Sequence, residues 1–301
     1  MRSLFPVTDE TADQGPGADR QWTLDELADR YAYPVDRADS ATEAKGSASA
    51  SSSPAPSPAA SPTPSPASSS ASPSAAPGPA PRPWLRANMV SSLDGAAQHD
   101  GRSQPISCAA DMRIFGTLRG LADVVLVGAE TVRKEGYRPA RAREAFADRR
   151  RAAGQTPAPA VAVISAGLDL DFSAPLFTSP LTPTLILTGE KAREDRKKEA
   201  EQAGARVVVA GEGRGVDPAR AVAALAGLGL TRLLTEGGPR ILGQFIAAGV
   251  LDELCLTLSP MVTSGEAQRI ADGPGIAVPK RFSLASLLEE EGFLFTRYRR
   301  T

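Results

Sequence analysis

The sequence predicts an α/β fold built on a mostly parallel sheet, with helices on both faces and an antiparallel C-terminal edge. Three observations support this prediction. Short β-branched and apolar runs, typical of buried strands, recur after residue 84. Amphipathic segments of helical periodicity separate most of these runs, and parallel strands need such long crossovers. The last two predicted strands have no helix between them, which favours antiparallel pairing at one edge.

The first predicted segment, residues 1–37, is an N-terminal extension with one short helix. Thr23-Leu-Asp-Glu26 has the pattern of a capping box. Leu24, Leu27 and Tyr31 share one face of the helix that follows. Because this apolar face needs a partner, we expect it to pack on the main domain; the alternative is a frayed tail.

The second predicted segment, residues 38–83, consists of Ala, Ser and Pro with little else. Such a composition buries too little apolar surface to offset the entropy lost on ordering. We expect a disordered linker and assign it no chemistry. The third segment, residues 84–301, is the main domain.

The first half of the main domain contains two predicted strands and two predicted helices. A strand at 85–90 leads into a loop, and a β-branched run at 123–128 predicts a buried strand. Ser107 is a plausible cap for a helix at 109–121, with Met112, Phe115 and Leu118 facing inward. An Arg-rich stretch at 141–153 predicts a surface helix.

The second half of the main domain alternates regularly. The predicted strands lie at 160–165, 184–188, 206–210, 232–235, 253–259 and 292–299. The predicted helices lie at 191–203, at 218–228 and from Pro239 to the stop signal at Gly249.

Composition and charge exclude several classes of function. With 34 basic and 35 acidic residues and no basic patch, nucleic-acid binding is not expected. Cys108 and Cys255 lie too far apart in sequence for a disulfide framework or a metal motif. His99 is the only histidine in the sequence. A His-Glu-x-x-His zinc site is therefore excluded, and so is any Ser-His-Asp triad that does not use His99. No signal peptide or membrane span is present, so we expect a cytoplasmic protein.

The stretch 231–246 contains the most informative local pattern, a strand, a Gly-Gly turn and a helix that starts at Pro239. Glycines let a ligand approach the backbone, and the amides of a first helical turn favour a negative charge. This pattern is compatible with phosphate binding, although a simple tight turn is the alternative. Glu236 at the strand end is either part of the site or a solvated charge.

Several strand ends should converge at one rim of the predicted sheet, because ligands of parallel sheets bind beyond the carboxyl ends of strands. These ends are 91–95, 128–131, Ser165, Thr188 and 236–238. The Gly-rich motifs of dinucleotide-binding folds and kinases are missing. Two glycine-containing ends, 128–131 and 237–238, remain able to hold an extended phosphorylated cofactor. Arg133 either assists there or is a surface arginine.

The residues also resemble a known family. The motifs are Asn88-Met-Val-Ser-Ser-Leu-Asp-Gly95, Arg119, Val127-Gly-Ala-Glu-Thr-Val132 and Glu236-Gly-Gly238 followed by Asp252-Glu-Leu254. They resemble the reductase domain of riboflavin biosynthesis over about residues 84–299. The opening of the chain is similar to that of actinobacterial pyrimidine reductase family proteins. The resemblance implies a dihydrofolate-reductase-like fold that reduces 5-amino-6-(5-phosphoribosylamino)uracil with NADPH. The motifs of the fused zinc-deaminase half are missing from this sequence.

The resemblance implies a role for each matching residue. The implied catalytic residues are Glu135 and Glu236, the latter holding the pyrimidine. The implied substrate-binding residues are Asn88, Asp94, Ser103 and Arg119. Arg119 would contact the phosphate of the substrate. For Asp94 the alternative is that it caps the amides of its own loop. The implied cofactor-binding residues are Gly128, Thr131, Ser165, Gly237, Gly238, Pro239, Arg240, Ile241 and Leu242. No metal is implied.

One motif departs from the family. The usual Asp-Asp-Pro after the second strand is Glu135-Gly-Tyr137 here, so the charge persists with one extra methylene. The second phosphate-binding arginine has no clear match, since Arg138, Arg141 and Arg143 all compete for it. Substrate identity is therefore less certain than the fold.

We interpret the chemistry as hydride transfer from NADPH to the anomeric carbon of an opened ribosylamino group, with Glu135 stabilising the cationic iminium. Two alternatives remain: a reductase of the same fold acting on another heterocycle, such as a pterin, and a cofactor-binding protein without turnover. Leu254, Leu256 and Leu258 alternate on one strand face. The resemblance implies that a homodimer covers this face; the alternative is cover by the N-terminal extension.

Overall fold

A computed structural model describes residues 1–5, 21–34, 82–273 and 275–301. The linker predicted at 38–83 lies outside the described residues except for its last two positions, so it stays a prediction. Among the described residues no helix is long and apolar enough to cross a membrane. That same part of the chain contains no cluster of His, Cys, Asp and Glu suited to a metal ion.

The strands form one sheet in the order β1-β9-β10-β8-β2-β7-β3-β4-β5-β6. Every strand predicted from residue 84 onward is present, with small displacements of its ends. The strands are β1 (Arg2–Phe5), β2 (Trp84–Ser91), β3 (Val124–Gly128), β4 (Ala160–Ile164), β5 (Leu185–Thr188), β6 (Arg206–Val209), β7 (Arg232–Thr235), β8 (Glu253–Leu258), β9 (Phe282–Glu290) and β10 (Phe293–Arg300).

The helices connect the parallel strands, and short 3-10 turns stand at Gln104–Ile106 and Glu144–Phe146. The helices are α1 (Leu24–Arg30), α2 (Ala109–Leu121), α3 (Ala129–Glu135), α4 (Ala147–Ala152), α5 (Pro175–Thr178), α6 (Glu194–Gln202), α7 (Pro218–Gly227) and α8 (Pro239–Ala247).

The mostly parallel sheet with an antiparallel C-terminal edge is confirmed. Pairing from β2 through β7, β3, β4 and β5 to β6 is parallel throughout. The prediction that both of the last two strands are antiparallel additions was partly wrong. β8 pairs parallel with β2 and antiparallel with β10, so it is the strand at which the direction changes. The sequence reading also missed β9 and β1, which extend the antiparallel edge.

Helix α1 packs on the main domain, as its apolar face predicts. The Thr23 amide donates to the Glu26 carboxylate at 2.8 Å and the Glu26 amide donates to Thr23 Oγ1 at 3.2 Å, which forms the capping box. Leu27 and Tyr31 are buried in one core cluster together with Ile114 of α2. The apolar face of α1 therefore completes the core on one side of the sheet.

Three details of the predicted helices were wrong. Helix α2 is capped by Cys108, whose Sγ accepts from the Asp111 amide at 3.4 Å, while Ser107 Oγ donates to the Asp111 carboxylate at 2.6 Å. Met112 is 53% exposed instead of facing inward. The Arg-rich surface helix is only partly a surface element, because Arg150 is 2% exposed and donates to carbonyl groups at the end of α2.

Candidate active site

A cleft of about 460 Å³ lies at the carboxyl ends of β3 and β7. Of the five strand ends predicted to converge, two line this cleft, 128–131 and 236–238, whereas 91–95, Ser165 and Thr188 lie outside its lining. The cleft is lined from both sides by the segment after β3, the turn after β7 and the loop after β2. Its lining includes Met89, Ala97, Gln98, Ser103, Phe115, Gly128, Thr131, Glu135, Tyr137, Glu236, Gly238, Pro239, Arg240, Ile241 and Gln268.

The glycines of the cleft bring its two walls into close approach. A Cβ built on Gly238 would lie 3.2 Å from Thr131 Oγ1, and one built on Gly128 would lie 2.8 Å from Ile241 Cδ1. Gly237 has a φ of 94°, in the left-handed region that favours glycine. Side chains at these positions would therefore fill the space between the end of β3 and the start of α8.

Glu236 is held by two side chains from other parts of the chain. Arg119, at the end of α2, donates from Nε to Glu236 Oε1 and from Nη2 to Oε2, both at 2.6 Å. The same Nη2 donates to the Tyr137 hydroxyl at 2.5 Å, and this hydroxyl in turn donates to Glu236 Oε2. We call these three residues the Glu236 triad. Glu236 is thus a paired carboxylate and not a solvated strand-end charge.

The local fold explains how Tyr137 reaches this triad. Helix α3 ends at Gly136, whose φ of 57° and ψ of 49° place it in the left-handed conformation that terminates helices. The Tyr137 amide closes the turn by donating to the Val132 carbonyl at 3.2 Å. The chain reverses there, and the Tyr137 ring lies 5.2 Å from the Arg119 guanidinium carbon. The turn at residues 135–137 therefore places the Tyr137 side chain against Arg119 and Glu236.

Electrostatics fixes the protonation states of two members of the triad, Arg119 and Tyr137. Burial acts to lower the pKa of Arg119, but the Glu236 carboxylate outweighs burial and raises that pKa above its ordinary value. Burial and the Glu236 carboxylate together raise the pKa of Tyr137 well above its ordinary value. Arg119 therefore stays charged, and Tyr137 keeps the proton that it donates to Glu236.

A second cavity of about 350 Å³ adjoins the cleft and shares Phe115, Glu135 and Tyr137 with it. We call it the arginine cavity, because five arginines line it. They are Arg119, Arg138, Arg141, Arg143 and Arg150.

The charge of the arginine cavity is largely unbalanced. Among the described residues, the side chains of Arg138, Arg141 and Arg143 have no hydrogen-bonding or ion-pair partner, whereas most arginines elsewhere are paired with carboxylates. Arg143 lies against Gly116 of α2, where a Cβ would be 2.1 Å from its Nη1. Glu135 is the one carboxylate in the lining. Such a cationic cavity favours an anion.

Asp94 braces the loop after β2. It accepts from the Ser264 amide at 2.7 Å and from the Thr263 amide at 3.2 Å, and the Ser92 hydroxyl also donates to it. The Ser92 hydroxyl and the Ser264 amide lower the pKa of Asp94 to about 2. This geometry corresponds to the capping alternative, with bonds to amides of a neighbouring loop.

The structure brings most of the predicted site residues to the cleft. Five of them lie outside its lining, and Arg119 lines the adjoining cavity. Ser165 Oγ accepts from the Leu168 amide at 2.9 Å, which caps its own loop. The Leu242 side chain is fully buried in the core. The five outside the lining are Asn88, Asp94, Ser165, Gly237 and Leu242.

Several lining residues were missed by the sequence reading. Tyr137 stands in a motif that attracted attention only as a departure, and Phe115 was read as a core residue. Gln268 comes from the long segment between β8 and β9. Its backbone carbonyl accepts a hydrogen bond from the Ala97 amide at 2.8 Å. No local pattern in that segment indicates a site.

Comparisons with known proteins agree with this architecture. The RibD C-terminal domain family matches residues 83–290. A relative from Archaeoglobus fulgidus, named 2,5-diamino-6-ribosylamino-4(3H)-pyrimidinone 5′-phosphate reductase, is 28% identical over 188 residues, 62% of this chain and 84% of that protein. A protein of the same name from Methanothermobacter thermautotrophicus is 31% identical over 190 residues, 63% of this chain and 83% of that protein.

A solved structure, described as a pyrimidine reductase-like protein from Corynebacterium diphtheriae, shares the fold with a TM-score of 0.64 and 28% identity. The match covers 73% of this chain and 92% of that protein. The resemblance to riboflavin-biosynthesis reductases drawn from the sequence motifs is confirmed by these matches. Since the family match extends over most of the described main domain, this chain belongs to the RibD C-terminal domain family.

Proposed function

We propose that this protein reduces a 6-(5-phosphoribosylamino)pyrimidine with NADPH to the ribitylamino product, the reaction type of riboflavin biosynthesis. The observation that carries the proposal is the junction of two different cavities. A glycine-walled cleft suits a nucleotide cofactor, and the adjoining arginine cavity suits a phosphate. A substrate with a base, an opened pentose and a phosphate would extend across the shared wall.

The phosphate of the substrate would lie in the arginine cavity. Arg138, Arg141 and Arg143 bring positive charge, and none of their side chains is paired with a carboxylate of the described residues. Arginine binds phosphate oxygens through paired N–H donors. These paired hydrogen bonds stabilise a phosphate dianion more than the charge of a single cation does. Arg119 is less suited to this role, because Glu236 occupies its Nε and Nη2 donors.

The cofactor would lie in the cleft. The fit of the cofactor rests on two glycines in the cleft wall, Gly238 next to Thr131 and Gly128 next to Ile241. A larger residue at either position would fill the space between the end of β3 and the start of α8. The start of α8 supplies partial positive charge for a pyrophosphate. When bound, NADPH would supply the hydride for C1′ of the opened ribosylamino group, whose ring oxygen takes up one proton, giving the ribitylamino product and NADP⁺.

The protein's own side chains would orient the substrate and manage charge. Glu135 lines both cavities, so its carboxylate lies at the junction where the pentose would open. A negative charge there stabilises a cationic iminium at C1′. Glu236 would accept a hydrogen bond from the pyrimidine. We expect Glu135→Gln to reduce kcat by roughly a hundredfold, the usual effect of removing one electrostatic stabiliser.

A substrate panel tests the proposal. NADPH oxidation is followed by the loss of its near-ultraviolet absorbance with the phosphoribosylamino-pyrimidines, their dephosphorylated forms and dihydrofolate. The proposal requires oxidation with a phosphorylated pyrimidine and a much higher KM without the phosphate. Turnover of dihydrofolate alone would instead indicate a pterin reductase, and NADPH binding without any turnover would indicate a binding protein.

A pair of variants tests the phosphate site. Arg141→Ala with Arg143→Ala should raise the KM for the phosphorylated substrate by about tenfold or more, because each charge-assisted bond contributes roughly 1.5–3 kcal/mol. Arg151→Ala is the matched control, since Arg151 is exposed and pairs with Asp148 outside both cavities. Equal KM values in the double variant and the control would contradict the assignment.

We also propose that the protein forms a homodimer through the open face of its antiparallel edge. Leu254, Leu256 and Leu258 of β8 and Leu294 of β10 lie on that face and are half-buried within one chain. Their apolar area favours cover by a second copy. Light scattering coupled to gel filtration should give twice the chain mass, and Leu256→Glu should give a folded monomer. The cytoplasmic location stays a prediction from the sequence.

A further inference from the structure

We infer that Asp94 is a positioning residue for the cofactor, which it serves by holding the segment 260–273 against the cleft. We call this segment the strap. The inference rests on the proposed function, in which the cleft binds NADPH. Asp94 itself lies outside the lining of the cleft, so it can act on a bound cofactor only through other residues. This role differs from the substrate contact that the resemblance implies for Asp94.

The backbone of the strap is joined to the loop after β2 at two places. The Leu93 amide donates to the Met261 carbonyl, and the Ala97 amide donates to the Gln268 carbonyl, both at 2.8 Å. The strap has more residues between these two bonds than the loop has. The strap must therefore bulge away from the loop between them, and this bulge needs an attachment of its own.

Asp94 supplies that attachment. Its Oδ2 accepts from the Ser264 amide at 2.7 Å and from the Thr263 amide at 3.2 Å, and the Ser92 hydroxyl donates to its other oxygen. Ser264 has a φ of 57°, a left-handed conformation that a residue other than glycine keeps only where its surroundings hold it. Without the Asp94 carboxylate, the turn at Ser264 would lose the bonds that hold it.

The other end of the strap is attached to the opposite wall of the cleft. The Asp272 amide donates to the Pro239 carbonyl at 3.0 Å. The Asp272 backbone also lies against α8, where a Cβ on Gly243 would be 2.0 Å from the Asp272 carbonyl oxygen. The strap thus links the loop after β2 to the first turns of α8, and the start of this helix is the proposed site of the cofactor's pyrophosphate.

The strap contributes to the cleft and not to the arginine cavity. Gln268 is the one strap residue in the lining of the cleft, where Ala97 and Pro239, the residues next to its two attachments, also lie. The lining of the arginine cavity contains none of the strap residues, all of which are described. Loosening the strap should therefore weaken the binding of the cofactor and spare the phosphate end of the substrate.

The size of the effect follows from how often the strap stays in place. A ligand that needs one conformation binds more weakly in proportion to the fraction of molecules that hold this conformation. If roughly one molecule in ten keeps the strap in place without Asp94, the Kd for NADPH rises about tenfold.

The test measures cofactor and substrate separately on the full chain. Isothermal titration calorimetry gives the Kd for NADPH, and steady-state kinetics give the KM for the phosphoribosylamino-pyrimidine. Asp94→Ala should raise the Kd about tenfold and change the pyrimidine KM by less than about twofold. If Asp94→Ala does not fold by circular dichroism, Asp94→Asn is measured with the same criteria, because it removes the charge and one of the two acceptor oxygens.

Asp171→Ala is the matched control. Asp171 is also exposed, and it accepts from the Ser173 amide at 2.9 Å and from the Ser173 hydroxyl at 2.6 Å. Because Asp171 lines neither cavity, its replacement should leave both constants unchanged.

The outcomes separate the inference from the proposed function. A wild type that does not bind NADPH refutes both. A wild type that binds NADPH but reduces no pyrimidine refutes the proposed reaction, and the Kd values alone then decide the inference. An Asp94 variant that binds NADPH as tightly as the wild type, or no more weakly than Asp171→Ala, refutes the inference alone. A pyrimidine KM that rises as much as the Kd, or rises in its place, also refutes it, because Asp94 would then act on the substrate.

Discussion

The strongest prediction concerns Glu253, which neutralises a group of arginines next to the end of helix α1. Glu253 and Arg86 are both fully buried, and Arg86 Nε lies 2.6 Å from Glu253 Oε1. Arg297 Nε donates to the same oxygen at 2.8 Å, and Arg299 Nε to Oε2 at 3.3 Å. We call these four residues the Glu253 cluster. Replacement of Glu253 by Gln would keep the shape and remove the only negative charge of the cluster.

The cluster also anchors helix α1. Arg86 Nη1 donates to the Tyr31 carbonyl at 2.8 Å, and Arg297 donates to the carbonyls of Arg30 and Ala32. These carbonyls lie at the end of α1 and just beyond it. The last carbonyl groups of a helix have no partner within the helix, so they need donors from elsewhere. Loss of the Glu253 charge would leave the arginines to repel one another beneath the helix. The end of α1 should therefore loosen together with the cluster.

The magnitude follows from burial. Removing one partner of a buried ion pair costs about 3–5 kcal/mol, because the remaining charge is left without compensation. For a domain of this size, each kcal/mol corresponds to roughly 2–4 °C. We therefore expect Glu253→Gln to lower the melting temperature by about 6–20 °C. The control, Glu212→Gln, removes an exposed charge that pairs with Arg220, and should cost less than about 1 kcal/mol.

Urea unfolding followed by circular dichroism measures both variants, and hydrogen exchange reports on α1. The Tyr31 amide, which donates to the Leu27 carbonyl at 2.9 Å, should lose protection in Glu253→Gln. Equal stabilities of Glu253→Gln and Glu212→Gln would refute the reasoning. Unchanged protection at Tyr31 would show that the cluster does not hold the helix.

Three further predictions follow from the structure. Burial acts to raise the pKa of Glu253, but the arginines outweigh it and hold that pKa below its ordinary value. The stability that Glu253 contributes is therefore present above about pH 4.3 and is lost as the pH falls below that value. Urea midpoints measured from neutral to acidic pH check this prediction. Gly238→Ala should raise the KM for NADPH about tenfold with little change in melting temperature, since φ is −63° there and the methyl group would point at Thr131. Gly243→Ala should lower the free energy of unfolding by about 1–3 kcal/mol, because its Cβ would lie 2.0 Å from the Asp272 carbonyl oxygen. Gly227→Ala is the control, since the space around Gly227 is open, and its free energy of unfolding should not fall. Urea unfolding measures both variants.

The parts of the fold that follow local patterns were predictable from the sequence. β3 is a continuous apolar run, and α2 has helical periodicity, so their bounds were close to those observed. The strand β9, which was missed, ends in two charged residues, Glu289 and Glu290. The structure pairs these charges with Arg2 and Arg113, which come from distant segments.

The candidate site was predictable only in its backbone. Glycines at 128 and 238 mark the turns where two walls meet, and such positions are visible in the sequence. The partners of Glu236 were not predictable, because Arg119 lies 117 positions away and nothing in its own helix indicates the pairing. Sequence patterns record which residues are near in the chain, whereas this pairing depends on the order of β3 and β7 in the sheet.

The same pairing links the chemistry of the two cavities. Arg119 cannot at once hold both oxygens of Glu236 and bind a phosphate with the same N–H groups, so the phosphate must depend on the other arginines. These are contributed by the segment after Gly136, where the chain also departs from the family pattern. Under the proposed function, the segment that begins at Glu135-Gly-Tyr137 would contribute to both ends of the substrate site: the hydroxyl of Tyr137 donates to Glu236, and the residues that follow include Arg138, Arg141 and Arg143 of the arginine cavity.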